Sequence, residues 1–166
     1  MAIYNCKAQK HRVNCLKVLA FLSSILSGLF YLLLFFVPLV LYPKSSELFE
    51  FNKIVLTYFA TASILAIWLA KMVIQRKSRF RRTILDIPLV IFLISQILST
   101  VFSIESRTSL LGYYSRFNSG LLSLVSYSLL YWAFVSNMDK KSTRKALLFL
   151  ISSASVVSLY GVAQHF

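Results

Sequence analysis

Between two apolar runs lies Ser103-Ile104-Glu105-Ser106-Arg107-Thr108-Ser109-Leu110-Leu111-Gly112-Tyr113-Tyr114-Ser115-Arg116-Phe117-Asn118-Ser119-Gly120-Leu121. It sets two arginines among hydroxyls, two glycines and three aromatic rings. A guanidinium offers planar donors that fit phosphate oxygens bidentately. Tyrosine faces suit sugar rings or isoprenoid at an interface. Arg116 and Arg107 are therefore candidate phosphate ligands, with Tyr113 and Tyr114 along a lipid or sugar path. Arg and Tyr are also plain anchors at membrane surfaces, and that simpler reading stands beside the functional one. Earlier in the chain, Glu50 and Lys53 stand three apart, close enough to pair on one helical face or to help position the same substrate. The sequence has no P-loop, no H-E-x-x-H, no nucleophile elbow, no DxD-like pair and no clustered metal ligands. No metal or other cofactor is expected, and the catalytic residues stay unassigned.

These residues must be positioned by membrane helices. Apolar residues make up 58% of the chain and mean hydropathy is +0.72, against roughly 45–50% apolar content in soluble domains. Five apolar runs alternate with charged segments, which predicts an all-α membrane protein of about five transmembrane helices in a single polytopic domain over 1–166. The expected spans cover about 16–42, 54–75, 86–104, 120–138 and 146–166. Fourteen of the eighteen basic residues fall in the N-terminal tail and the second and fourth connections. Basic loops stay on the cytoplasmic side, so the N-terminus is expected inside and the segments holding Glu50, Lys53, Arg107 and Arg116 outside. A net charge of +13 suggests nucleic acid in a soluble protein. Here the charges sit at span ends, where they orient the chain and meet anionic headgroups, so the lipid bilayer is the expected partner and nucleic acid is not.

Details within the runs carry further expectations. The N-terminus imitates a signal peptide, but its apolar run is too long for an h-region, so it is expected to remain as the first span. Pro38 predicts a kink near that span's outer end. Lys71 is expected to snorkel to the inner headgroups, and Ala62, Ala66 and Ala70 to form a close-packing stripe. Asp86 reads as an N-cap paired with Arg82. Ser95, Ser99 and Ser103, with Gln96 beside them, share a face expected to point into a bundle; Ser152, Ser155, Ser158 and Gly161 suggest close packing of the last span. Cys6 and Cys15 lack metal-ligand or redox spacing and read as reduced thiols. The last run stops at Gln164, His165 and Phe166 without an interfacial anchor, which reads as the first part of a larger multispan bundle.

The Ser103–Leu121 run, with its Ser, then Ser-Leu-x-Gly, then Arg and Gly opening a span, resembles the N-terminal half of the O-antigen ligase and O-antigen polymerase superfamily. Phe49-Glu50-Phe51-Asn52-Lys53, Leu85-Asp86-Ile87-Pro88-Leu89 and Leu159-Tyr160-Gly161-Val162-Ala163-Gln164 agree in order and placement. The resemblance implies a bundle of roughly a dozen helices in the bacterial cytoplasmic (inner) membrane. It implies a glycosyltransferase of lipopolysaccharide or surface polysaccharide biosynthesis, acting on glycans carried by undecaprenyl diphosphate at the outer face. The family's chemistry is inverting, without metal or nucleotide sugar, and its essential His and Arg residues lie mainly in the C-terminal half. No catalytic residue is carried over to this chain, and His165 reads as an interfacial or hydrogen-bonded histidine. The implied partners are a polyprenyl-diphosphate-linked glycan and the C-terminal remainder of the protein or a partner membrane subunit. The alternative is a small non-enzymatic multispan subunit of a transporter or polysaccharide export complex.

Overall fold

The computed structural model describes residues 2–40, 49–76, 80–113 and 117–165, with side chains described from 16 onward except those of 49, 164 and 165. The order is α1 (Ala2–Leu39), α2 (Phe49–Gln75), α3 (Asp86–Val101), α4 (Ser106–Leu111), α5 (Leu121–Asn137) and α6 (Lys140–His165). Among the described residues the only regular elements are helices, and each of the five expected apolar runs forms one. Leu16–Leu39 of α1, Glu50–Gln75 of α2 and Lys140–Ala163 of α6 are long and apolar enough to cross a membrane. The apolar helices α3 and α5, of 16 and 17 residues, are shorter. At 1.5 Å per residue they extend about 24 and 26 Å, a little under a hydrocarbon core of about 30 Å.

Helix boundaries depart from the expected spans where charge was read as loop. Helix α1 begins at Ala2 rather than near Leu16, and Pro38 lies in its last turn. Helix α2 begins at Phe49, so Glu50 and Lys53 sit on its first turns rather than in a connection. Helix α6 begins at Lys140, so Lys140, Lys141, Arg144 and Lys145 ride on helix, with only Met138 and Asp139 joining it to α5. Thr143 donates from both its N–H and its hydroxyl to Asp139 O, at 2.8 and 3.0 Å, which ties down that first turn.

The core lies between α1, α2 and α5. Leu26, Phe30, Ile64, Trp68, Ala133 and Met138 form one buried cluster, with the Phe30 and Phe134 rings edge to face at 5.3 Å. In lipid such a seam is held by close packing rather than by exclusion of water. Helix α5 is suited to it: Ser123, Ser126, Ser128 and Ala133 are buried, and the three hydroxyls donate to carbonyls of their own turn. Small side chains so satisfied let α5 contact α1, α2, α3 and α4. Helix α6 packs on α1 alone among the described elements and runs parallel to it. Phe149 stacks on Tyr31 at 5.2 Å, and buried Ser153 donates to Phe35 O at 2.9 Å one turn further on.

The packed faces differ from those expected. On α2 the buried line is Ile54, Thr57, Thr61, Ile64, Trp68 and Lys71, while Ala62, Ala66 and Ala70 are exposed. On α3 the less exposed line is Asp86, Leu89, Leu93, Gln96 and Thr100, and Ser95 and Ser99 face away from the chain. Ser153, not Ser152, Ser155, Ser158 or Gly161, seats α6. Lys71 does not snorkel: it is buried, and its Nζ donates to Asn137 Oδ1 at 3.0 Å.

Candidate substrate-binding site

The bundle has two contrasting ends. At one, the segment from α3 to α5 folds back on itself through glycine. Short α4 follows Glu105, whose carboxylate accepts from the Thr108 hydroxyl at 3.0 Å, and Ser109 donates to Ser103 Oγ at 2.6 Å. Gly112 ends the helix with φ +89°, a region that side-chain-bearing residues rarely adopt. A Cβ there would strike the backbone of Asn118. A Cβ on Gly120 would strike the backbone of Gly112, Leu110 and Leu111. The two glycines thus pinch the segment shut, and the Phe117 N–H donates to Tyr113 O at 2.9 Å inside the pinch.

This segment docks on the start of α2. The Phe51 and Phe117 rings meet edge to face at 5.5 Å, and the Tyr58 hydroxyl donates to Phe117 O at 3.2 Å. The two segments singled out in the sequence for substrate contact therefore meet at one end of the bundle. Tyr113 is exposed there, Glu50 is exposed beside Phe51, and Lys53 is half-buried. Arg107 is exposed on α4, which packs against α3 and α5 but makes no contact with α2 among the described residues. The structure thus separates Arg107 from the Glu50–Lys53 turn. Tyr114 and Arg116 lie outside the described residues, as does the His165 side chain. The sequence reading assigned no role to Phe51, Tyr58 and Phe117, whose contacts bring the two segments together; an aromatic in each segment was the available signal.

The opposite end gathers cations. The Arg81 N–H donates to Ser136 Oγ at 3.3 Å, which seats the segment before α3 beside the end of α5 and the basic start of α6. Asp86 is not an N-cap: Leu85 holds that position, and no side chain caps the helix. Its carboxylate instead accepts from the Thr83 N–H at 2.6 Å, the Thr83 hydroxyl at 2.9 Å and Trp132 Nε1 at 3.1 Å. Thr83 Oγ1 also shares a hydrogen bond with the Tyr131 hydroxyl at 2.8 Å. This network pins the start of α3 to α5 and so sets where α3 delivers the chain to the glycine end. No protein family, curated protein or solved structure matches this chain.

Proposed function

We propose that the chain is the membrane part of an O-antigen ligase-like glycan transferase that handles undecaprenyl-diphosphate-linked glycans at the outer face of the cytoplasmic membrane. The observation that carries this reading is the contact of Phe51 and Tyr58 with Phe117. It joins the Ser103–Leu121 run, which carries the resemblance, to one of the three flanking segments that agree with it. The distribution of charge supports an orientation with five crossings and the N-terminus inside. The second and fourth connections, rich in Lys and Arg, share one end of the bundle, and the glycine end carries few cations. Helices α3 and α5 complete their crossings with flanking residues and local thinning of the bilayer.

In this reading Arg116 holds the diphosphate of the lipid carrier at headgroup level, Arg107 assists from the α3 side, and Tyr113 and Tyr114 line the lipid or sugar path. Glu50 and Lys53 border the same path from α2. No residue of this chain is assigned a catalytic role. A direct charge-assisted contact is worth about 1.5–3 kcal/mol, or roughly tenfold to hundredfold in binding. Arg116→Ala is expected to lose that much affinity for a polyprenyl-diphosphate-linked glycan. Arg116→Lys, which keeps the charge without the planar fork, is expected to lose less. Equilibrium binding of the lipid-linked glycan to variants at matched expression tests this. Wild-type affinity in Arg116→Ala makes Arg116 an interface anchor and removes the site.

A further inference from the structure

The basic end carries a second feature that the glycan reading does not use. A groove of about 420 Å³ runs beside the start of α3, lined by Phe80, Arg82, Thr83 and Asp86 at its top and Ile87, Val90 and Ile91 below. Its volume lies within the range of about 300–1,000 Å³ typical of ligand sites. We propose that this groove binds one anionic phospholipid, its phosphodiester on the Arg82 guanidinium and an acyl chain along Ile87, Val90 and Ile91.

Charge complementarity argues for that occupant. Arg82 is exposed and makes no hydrogen bond or ion pair with any described residue; it acts on Asp86 only by coulombic attraction. Asp86 also lines the groove, but its carboxylate already accepts from Thr83 twice and from Trp132, and those donors offset its charge. The walls below are open and apolar: Ile87 is 71% exposed and Ile91 62%. A guanidinium above an open apolar wall matches a lipid phosphate above its acyl chain. Phe80 marks the level. It packs against Trp132 at 5.9 Å while remaining half-exposed, as interfacial aromatics do. A neighbouring groove between α3 and α5 is lined by Leu85, Pro88, Leu89, Phe92 and Leu124, with Tyr127, Ser128 and Tyr131; it holds no charged group and so selects no headgroup.

The site depends on the chain lying in a bilayer and not on any glycan chemistry, so its test is separate from that of Arg116. Native mass spectrometry of the full chain, titrated with phosphatidylglycerol or phosphatidylcholine, gives the affinity of the first bound lipid. The wild type is expected to prefer phosphatidylglycerol. Arg82→Gln is expected to weaken that lipid by at least about tenfold, the loss of one charge-assisted contact, and to weaken phosphatidylcholine, whose phosphate is the same but whose choline offsets its charge, by less. Arg144→Gln, at the same end but outside the groove, is expected to change neither by more than about twofold, because a charge not in contact with the lipid is screened. Arg82→Lys provides a charge-retaining check, with a loss smaller than that of Arg82→Gln. Equal wild-type affinity for the two lipids overturns the proposal, as does equal loss in Arg82→Gln and Arg144→Gln. A dimer that Arg82→Gln dissociates also overturns it, because a second copy then covers the groove.

Discussion

The two ends of this bundle are held by opposite means. At the glycine end, main chain touches main chain: Gly112 and Gly120 let the segment close, and aromatic contact from Phe51 and Tyr58 docks it. At the basic end, side chains do the joining, through Lys71 with Asn137 and through Thr83, Asp86, Tyr131 and Trp132. The first end has few cations, and the second has many, placed where helix formation alone does not favour them. Four of them sit on the first turns of α6, against the positive pole of its macrodipole and without an acidic residue in the first turn. Each such charge costs a few tenths of a kcal/mol at that pole. A backbone-closed end tolerates change in its outward side chains, whereas a side-chain-joined end tolerates little.

The comparison breaks most directly at the pinch. Gly120→Ala is expected to destabilise the chain by about 3 kcal/mol, because its Cβ meets backbone rather than a movable side chain. Gly112→Ala should do at least as much, with positive φ added to the collision. Unfolding in detergent followed by circular dichroism measures both, and an unchanged midpoint in either contradicts the pinch. Next comes the buried lysine. Asn137→Leu removes an acceptor from Lys71, a charged donor, and is expected to cost about 1.5–3 kcal/mol. Lys71→Met should cost less, because it removes the buried charge together with its need for an acceptor. The double variant should be no worse than Asn137→Leu alone, and simple additivity would show that the two residues are not coupled.

Thr83→Val tests the start of α3. It removes the hydroxyl bonds to Asp86 and Tyr131 and keeps the backbone bond, so about 1 kcal/mol of destabilisation is expected. The smallest effect belongs to Ser99→Leu. Ser99 faces away from the chain, so the variant should stay within about 0.5 kcal/mol of wild type in the same unfolding assay. A large loss there would restore the inward face that its spacing with Ser95 and Ser103 suggests.

The positions of all five apolar helices were legible because each is an apolar run bounded by charge or proline. Their ends were not, where Glu50, Lys53 and Lys140–Lys145 looked like loop while being helical. Helix α4 was invisible because six residues, Ser106–Leu111, carry no periodicity. The packing faces misled for a physical reason. Serine in a membrane helix satisfies itself by donating to a carbonyl three or four residues back, as Ser152, Ser155 and Ser158 do, so it needs no partner helix. A better signal stood in α2, where Thr57, Thr61, Ile64, Trp68 and Lys71 recur at spacings of four and three. At the candidate site, the two glycines and the arginines were legible as composition. That Phe117 reaches Phe51 is a contact between distant segments that no local pattern encodes, and composition alone does not say that Gly112 meets Gly120 across their own turn.

In the proposed orientation the two ends face opposite sides of a bilayer, the basic one inward. Cysteine accessibility in intact cells reads this directly, in a background where Cys6 and Cys15 are replaced by serine. A membrane-impermeant maleimide added outside is expected to label Tyr113→Cys and to leave Lys141→Cys unlabelled until the cells are opened. Outside labelling of Lys141→Cys, or protection of Tyr113→Cys, contradicts the orientation and with it a glycan site at the outer face.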